Sequence, residues 1–159
     1  MTKKQEIQTI IRYYRERTGK TEYDMRDVAK FAIENGYQLP KPKSQIDLLT
    51  EQFSKAAREE TRKDPKTGRP YRANLAVTTW QGGEQMTLWG DIDEAPRPFA
   101  KKAFVQRREQ MVGDAFQLTL DLTHWNSVNQ DKEPIDMPMD FTDDVEWRLN
   151  APTDLDEAA

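Results

Sequence analysis

Residues that could move protons or hold a metal are few and scattered in this 159-residue chain. The sole histidine, His124, stands beside Trp125 without a recognisable nucleophile partner, and a lone histidine of this kind reads as surface or structural. Asp91-x-Asp93-Glu94 presents carboxylate oxygens that suit a hard cation. Acidic residues just ahead of a proline-led helix serve equally as caps and dipole partners, and Asp143, Asp144 and Glu146 read the same way. With no cysteine, disulfides, thiolate zinc sites and cysteine nucleophiles are excluded. No glycine-rich phosphate loop of the GxxxxGK type occurs, and Thr67-Gly68-Arg69 is a turn. These residues point away from an enzyme and imply neither a metal nor a cofactor.

Binding chemistry has more material. Between Lys41 and Arg72 there are nine basic residues against five acidic ones. Lys41, Lys43, Lys55, Arg58, Arg62, Arg69 and Arg72 are candidates to neutralise phosphates, an interaction that makes affinity salt-dependent. Trp80 and Trp89 are candidates to stack on bases or to anchor a protein partner. The simpler reading of each is a solvated charge, or an indole covered by another part of the chain.

The stretch Gly68–Asp93 carries the two tryptophans. Two runs rich in β-branched and aromatic residues flank Gly82-Gly83, a strong hairpin signal because primed turns need positive φ. The implied register sets Gln81 against Glu84, Thr79 against Met86 and Val77 against Leu88. Leu75, Val77, Thr79, Met86 and Leu88 then share an apolar face that belongs in the core. Asn74, Thr78, Trp80, Gln85, Thr87, Trp89 and Asp91 share the polar one, and a slip of one residue would mix the two sets.

Helices surround this hairpin. Apolar spacing predicts a first helix over 3–18, stopped by Gly19, and a second from the Asp24 cap to Gly36, burying Met25, Val28, Ala29, Ala32 and Ile33. Pro40 and Pro42 stiffen the next loop. Ser44 opens a third helix expected to run over 44–63, and Asp64–Pro70 is a turn-rich connection. After Pro98 a long fourth helix is expected to about Leu122. Its residues Phe104, Met111, Ala115, Leu118, Leu122 and Trp125 form a heptad seam with Arg108 in the one polar slot, and Val112, Phe116 and Leu120 form a second row. One row is expected to meet the chain's own core and the other a partner. Gln117–Leu122 also alternates as a strand would, which remains open at this level.

Composition sets the frame. Apolar residues make up 36% and charged residues 33%, so part of the chain is expected outside the core. Residues 1–130 hold 22 Lys and Arg against 18 Asp and Glu, whereas residues 131–159 hold 2 against 10. The expected division is a domain over 1–125 and an acidic, largely irregular strap and tail over 126–159, in which Pro134, Pro138 and Pro152 oppose regular structure. Neither a signal-peptide pattern nor a membrane-spanning run is seen, so a soluble cytoplasmic protein without membrane contact is expected.

Three helices followed by a hairpin over residues 5–92 resemble the winged-helix superfamily by element order alone. The fold class expected is thus α+β: three helices plus a two-stranded hairpin, winged-helix-like, with a long fourth helix and an extended acidic C-terminal segment. The resemblance implies that the third helix and the hairpin lie against double-stranded DNA, with Lys41, Lys43, Lys55, Arg58 and Arg62 near phosphates. The hairpin tip Gln81–Glu84 departs from the pattern in having no basic residue. The leading expectation is a small non-enzymatic DNA-associated protein, a transcriptional regulator or accessory subunit, that forms a homodimer through the fourth helix. The alternative is an adaptor that binds a larger protein partner through Trp80, Trp89, Phe104, Met111, Leu118 and Leu122 and the acidic segment.

Overall fold

The structure, a computed structural model, describes residues 1–152, so the end of the expected acidic tail, residues 153–159, lies outside the described residues. It is mixed α and β, with five helices and two small antiparallel two-stranded sheets among the described residues. The chain divides into two units, Met1–Phe53 and the part from Ser54 onward.

In the first unit, helix α1 (Lys3–Thr18) begins at a capping box, in which Thr2 and Gln5 exchange side-chain and backbone hydrogen bonds, and ends at Gly19 with φ 68°. Helix α2 (Met25–Glu34) starts where the Asp24 carboxylate accepts from the Arg26 amide at 2.8 Å. The two helices meet through aromatic rings. Tyr14 is buried, with its ring 5.4 Å from Phe31 and 5.7 Å from Tyr23. Val28 and Ala32 are buried as expected, but Met25, Ala29 and Ile33 are exposed. Tyr13 and Tyr14 fill the space with rings, which leaves α2 only a narrow buried stripe.

Helix α3 runs Gln45–Glu59, opened by Ser44, whose hydroxyl accepts from the Asp47 amide. It does not continue to residue 63 as its periodicity predicts. The Asn74 side-chain amide donates to the Ala57 carbonyl at 3.0 Å and to the Glu60 carboxylate at 2.7 Å, and the Ala73 backbone amide donates to the Glu60 carbonyl, so acceptors at and just past the helix end are satisfied from outside. Thr61–Lys63 is instead strand β1, paired with β2 (Pro70–Arg72) with Arg62 opposite Tyr71. The intervening loop turns on the Asp64 carboxylate, which accepts from the Lys66 and Thr67 amides, and on Gly68 at φ 69°.

Strands β3 (Asn74–Gln81) and β4 (Glu84–Asp91) form the expected hairpin in the expected register, with Val77 opposite Leu88 and Thr79 opposite Met86 across Gly82-Gly83. Only half of its apolar face is covered. Leu75 and Val77 are buried with Ala103, packed by Ile92, Ala95, Phe99 and Ala100, whereas Leu88 and Met86 stay 41% and 38% exposed. Helix α4 (Arg97–Val128) lies along β3 and leaves that part of β4 bare. The reason is a polar clamp: the Gln106 side chain accepts from the Thr78 amide and donates to the Thr78 carbonyl, both at 2.8 Å, which holds α4 at the free edge of β3.

Helix α4 outruns its expected end at Leu122 and includes Gln117–Leu122, which settles that stretch as helix. Beyond it, the Asn126 amide exchanges two 2.9 Å hydrogen bonds with the Ile135 backbone, and Lys132 lies over the Trp125 ring, tying the irregular segment to the end of α4. The region past 126 is not irregular throughout. Helix α5 (Thr142–Asn150) forms there, with Asp143 and Asp144 in its first turn and Arg69 donating to the Leu149 carbonyl at its last. Acid at the start and a cation at the end complement the helix dipole, and the prolines that argued against structure all lie outside those nine residues.

Candidate functional site

The second unit brings its chemistry-bearing residues into two places. The first is an ion-pair cluster beside the hairpin base. Arg62 donates to both Asp91 oxygens, at 2.9 and 2.5 Å, and to Asp93 at 2.8 Å; the Tyr71 hydroxyl donates to the same Asp93 oxygen at 2.9 Å. The forked guanidinium matches the carboxylate geometry. It holds the Asp91 carboxyl down to about 2, helped by the Asp93 amide, and is itself raised by the same bonds. The Asp93 carboxylate raises Tyr71 by accepting the hydrogen bond that its hydroxyl donates. Arg62 is therefore no outward-facing residue of α3. It belongs to β1 and ties β1 to the end of β4, and the two carboxylates of Asp91-x-Asp93 are occupied by it.

The second place is a groove of about 350 Å³ between the polar face of the hairpin and α4. Arg58 from the end of α3, Arg72 from β2 and Arg107 from α4 all line it, with Asn74, Thr78, Thr87 and Trp89 on one wall and Phe104, Gln106, Met111 and Asp114 on the other. Arg58 lies over the Trp89 ring at 5.5 Å, so this indole is half-buried beneath a guanidinium. Among the described residues no carboxylate approaches Arg58, Arg72 or Arg107 within salt-bridge distance. Such a wall offers fixed positive charge, forked donors and an aromatic face, which together suit a planar or tetrahedral anion.

The remaining sequence candidates disperse. Lys43 pairs with Glu51, Arg69 is engaged by α5, and Lys41 and Lys55 are exposed, so only Arg58 and Arg72 of the seven basic candidates reach the groove. Gln106 and Arg107 were missed by sequence reasoning. Their only signal was position, since Phe99, Ala103, Gln106 and Gln110 recur at helical spacing and a polar residue interrupts that stripe. His124 is exposed on α4. Among the described residues, no group of three or more acidic or histidine side chains is placed to hold a metal ion, and no helix is long and apolar enough to cross a membrane.

A broad apolar surface accompanies the groove. Neither apolar row of α4 is the one that meets the core. Ala103 is the helix's one buried residue, while Phe104, Met111 and Leu118 of the seam are 49%, 57% and 43% exposed. Val112, Phe116 and Leu120 of the second row, and Val105 before them, are exposed as well. Leu122 is half-buried, Trp80 is exposed on the hairpin, and Trp147 on α5 is 75% exposed. No protein-family model, no curated protein and no solved structure matches this chain.

Proposed function

We propose that this chain is a non-enzymatic interaction protein whose helix α4 is the surface on which a protein partner docks. The observation that carries the reading is the pair of bare apolar rows on α4, with Phe104, Met111 and Leu118 exposed in one and Val112, Phe116 and Leu120 in the other. Soluble proteins rarely leave contiguous apolar patches of this extent open, because each exposed side chain forgoes roughly 1.5–3 kcal/mol of burial. A protein partner recovers that energy. The test is the native mass of the tagged full chain in extracts of the cells that make it. The expected result is an assembly well above 18.6 kDa that a Phe116→Asp, Leu118→Glu variant, folded by circular dichroism, no longer enters. A wild-type chain migrating at its own mass contradicts the reading.

A second reading, a DNA-associated regulator or accessory subunit, is favoured by one specific observation: Arg58, Arg72 and Arg107 converge from three elements on one groove beside Trp89. The winged-helix-like element order supports the same reading. Counterion release then dictates that affinity for duplex DNA falls linearly in log–log form with salt, and that Arg58→Ala with Arg72→Ala lowers both affinity and slope across unrelated sequences. Absence of any mobility shift at low salt sets this reading aside.

A further inference from the structure

Helix α4 is electrically lopsided. Its first half, residues 97–112, carries Arg97, Lys101, Lys102, Arg107 and Arg108 against Glu109 alone. Its second half, residues 113–128, carries Asp114 and Asp121 and no lysine or arginine. The seam has a matching symmetry. Its alternating steps of four and three place Phe104, Met111 and Leu118 in one heptad slot and Arg108, Ala115 and Leu122 in the other. When such a helix meets its own copy head to tail, one slot faces the other. Phe104 then lies against Leu122 of the second copy, Arg108 against Leu118 and Met111 against Ala115, with every layer repeated across the two-fold.

We infer that α4 pairs antiparallel with α4 of a second copy of this chain, along the seam from Phe104 to Leu122. The inference rests on the reading of α4 as a partner surface and names the partner. Four features of the helix support it. A parallel pair would stack the five-cation half on itself, whereas the antiparallel pair sets that half against Asp114 and Asp121 and also opposes the helix dipoles. Arg107, Asp114 and Asp121 flank the seam in the same heptad position, and the antiparallel register sets Arg107 against Asp121 of the second copy twice, which outweighs the single meeting of Asp114 with its own copy at the two-fold. Arg108, a polar break in an apolar seam, comes within one turn of Asp114 of the second copy, so the charge that would be costly if buried alone is matched. Finally, Lys132 and Ile135 pin the following segment around Trp125 and Asn126, which sets the end of the free seam at Leu122. The paired stretch spans about 27 Å at the ordinary helical rise.

The chain has no cysteine, so introduced thiols report pairing without background. Arg108→Cys and Leu118→Cys variants, each folded by circular dichroism, are mixed at tens of micromolar under mild oxidation. The expected product is the mixed disulfide, formed several-fold faster than either homodimeric disulfide, because only the antiparallel layer brings the two Cβ atoms within about 3.5–4.5 Å. Rapid self-linking of Leu118→Cys alone overturns the inference in favour of a parallel pair. Sedimentation of the wild type as a monomer at the same concentration also overturns it. In that case a large native assembly in cell extracts still upholds the partner surface, with a different protein as its occupant, whereas loss of both results removes the surface reading itself.

Discussion

Gln106 holds both backbone groups of Thr78, accepting from its amide and donating to its carbonyl at 2.8 Å each. The edge of β3 that β4 does not use is thereby paired at Thr78, and α4 is held beside it with Ala103 against Leu75 and Val77. Removing the clamp leaves two partly buried backbone groups without partners. Gln106→Ala is expected to destabilise the second unit by about 1–3 kcal/mol, read from urea unfolding. Gln106→Glu is expected to lose the donated bond while keeping the side chain's length, and so to be destabilising as well.

The unequal covering of the hairpin separates two neighbours that share a register position. Val77 is 3% exposed and Leu88, directly opposite, is 41% exposed. Val77→Ala should cost about 1.5–3 kcal/mol and Leu88→Ala less than half as much, despite the larger truncation. Equal losses in the two unfolding midpoints would mean that β4 is covered as fully as β3.

Gly90 supports the aromatic end of the same core. A Cβ built on it would meet the Phe99 ring at 2.8 Å, so this ring rests on bare backbone. Gly90→Ala forces Phe99 out of its position and is expected to cost about 1–3 kcal/mol. A compensating Phe99→Leu in the same chain should recover part of the loss, a non-additivity that a double-mutant cycle reads directly.

The Arg62 cluster gives a pH dependence with a definite sign. The Asp91 carboxyl is lowered from 3.8 to about 2, first by the Arg62 hydrogen bonds. A carboxyl that binds its proton less readily in the folded state contributes stability in full above about pH 3.8, and loses it as the pH falls through about 2. Arg62→Ala and Asp91→Asn should therefore lower the thermal midpoint at neutral pH and make it flatter between pH 4 and about 2. A wild-type acid profile indistinguishable from that of Asp91→Asn would contradict the assignment.

The elements that could be read from the sequence are those with local chemistry. Gly82-Gly83 with alternating flanks defined the hairpin and its register, and Asp24, Ser44 and Gly19 marked helix ends. Strand β1 was hidden because the polar run Glu60–Lys63 holds no proline or glycine to stop a helix, and the partner that meets the end of α3 is Asn74, distant in sequence. Helix α5 was hidden by acidic composition that is in fact placed at its N-terminus. The candidate site was less legible still. Arg62 looked like an outward helical cation until β1 turned it towards Asp91, and Arg107 acquired a role only when Gln106 fixed which side of α4 faces the hairpin.

The most direct test of the partner surface on α4 is sedimentation velocity of the purified full chain at tens of micromolar, where a specific interface of micromolar or better affinity persists. The expected masses are twice 18.6 kDa for the wild type and 18.6 kDa for a Leu118→Glu variant with unchanged circular dichroism. A wild type that sediments at 18.6 kDa, alone and in the extracts of the cells that make it, would contradict a partner surface on α4.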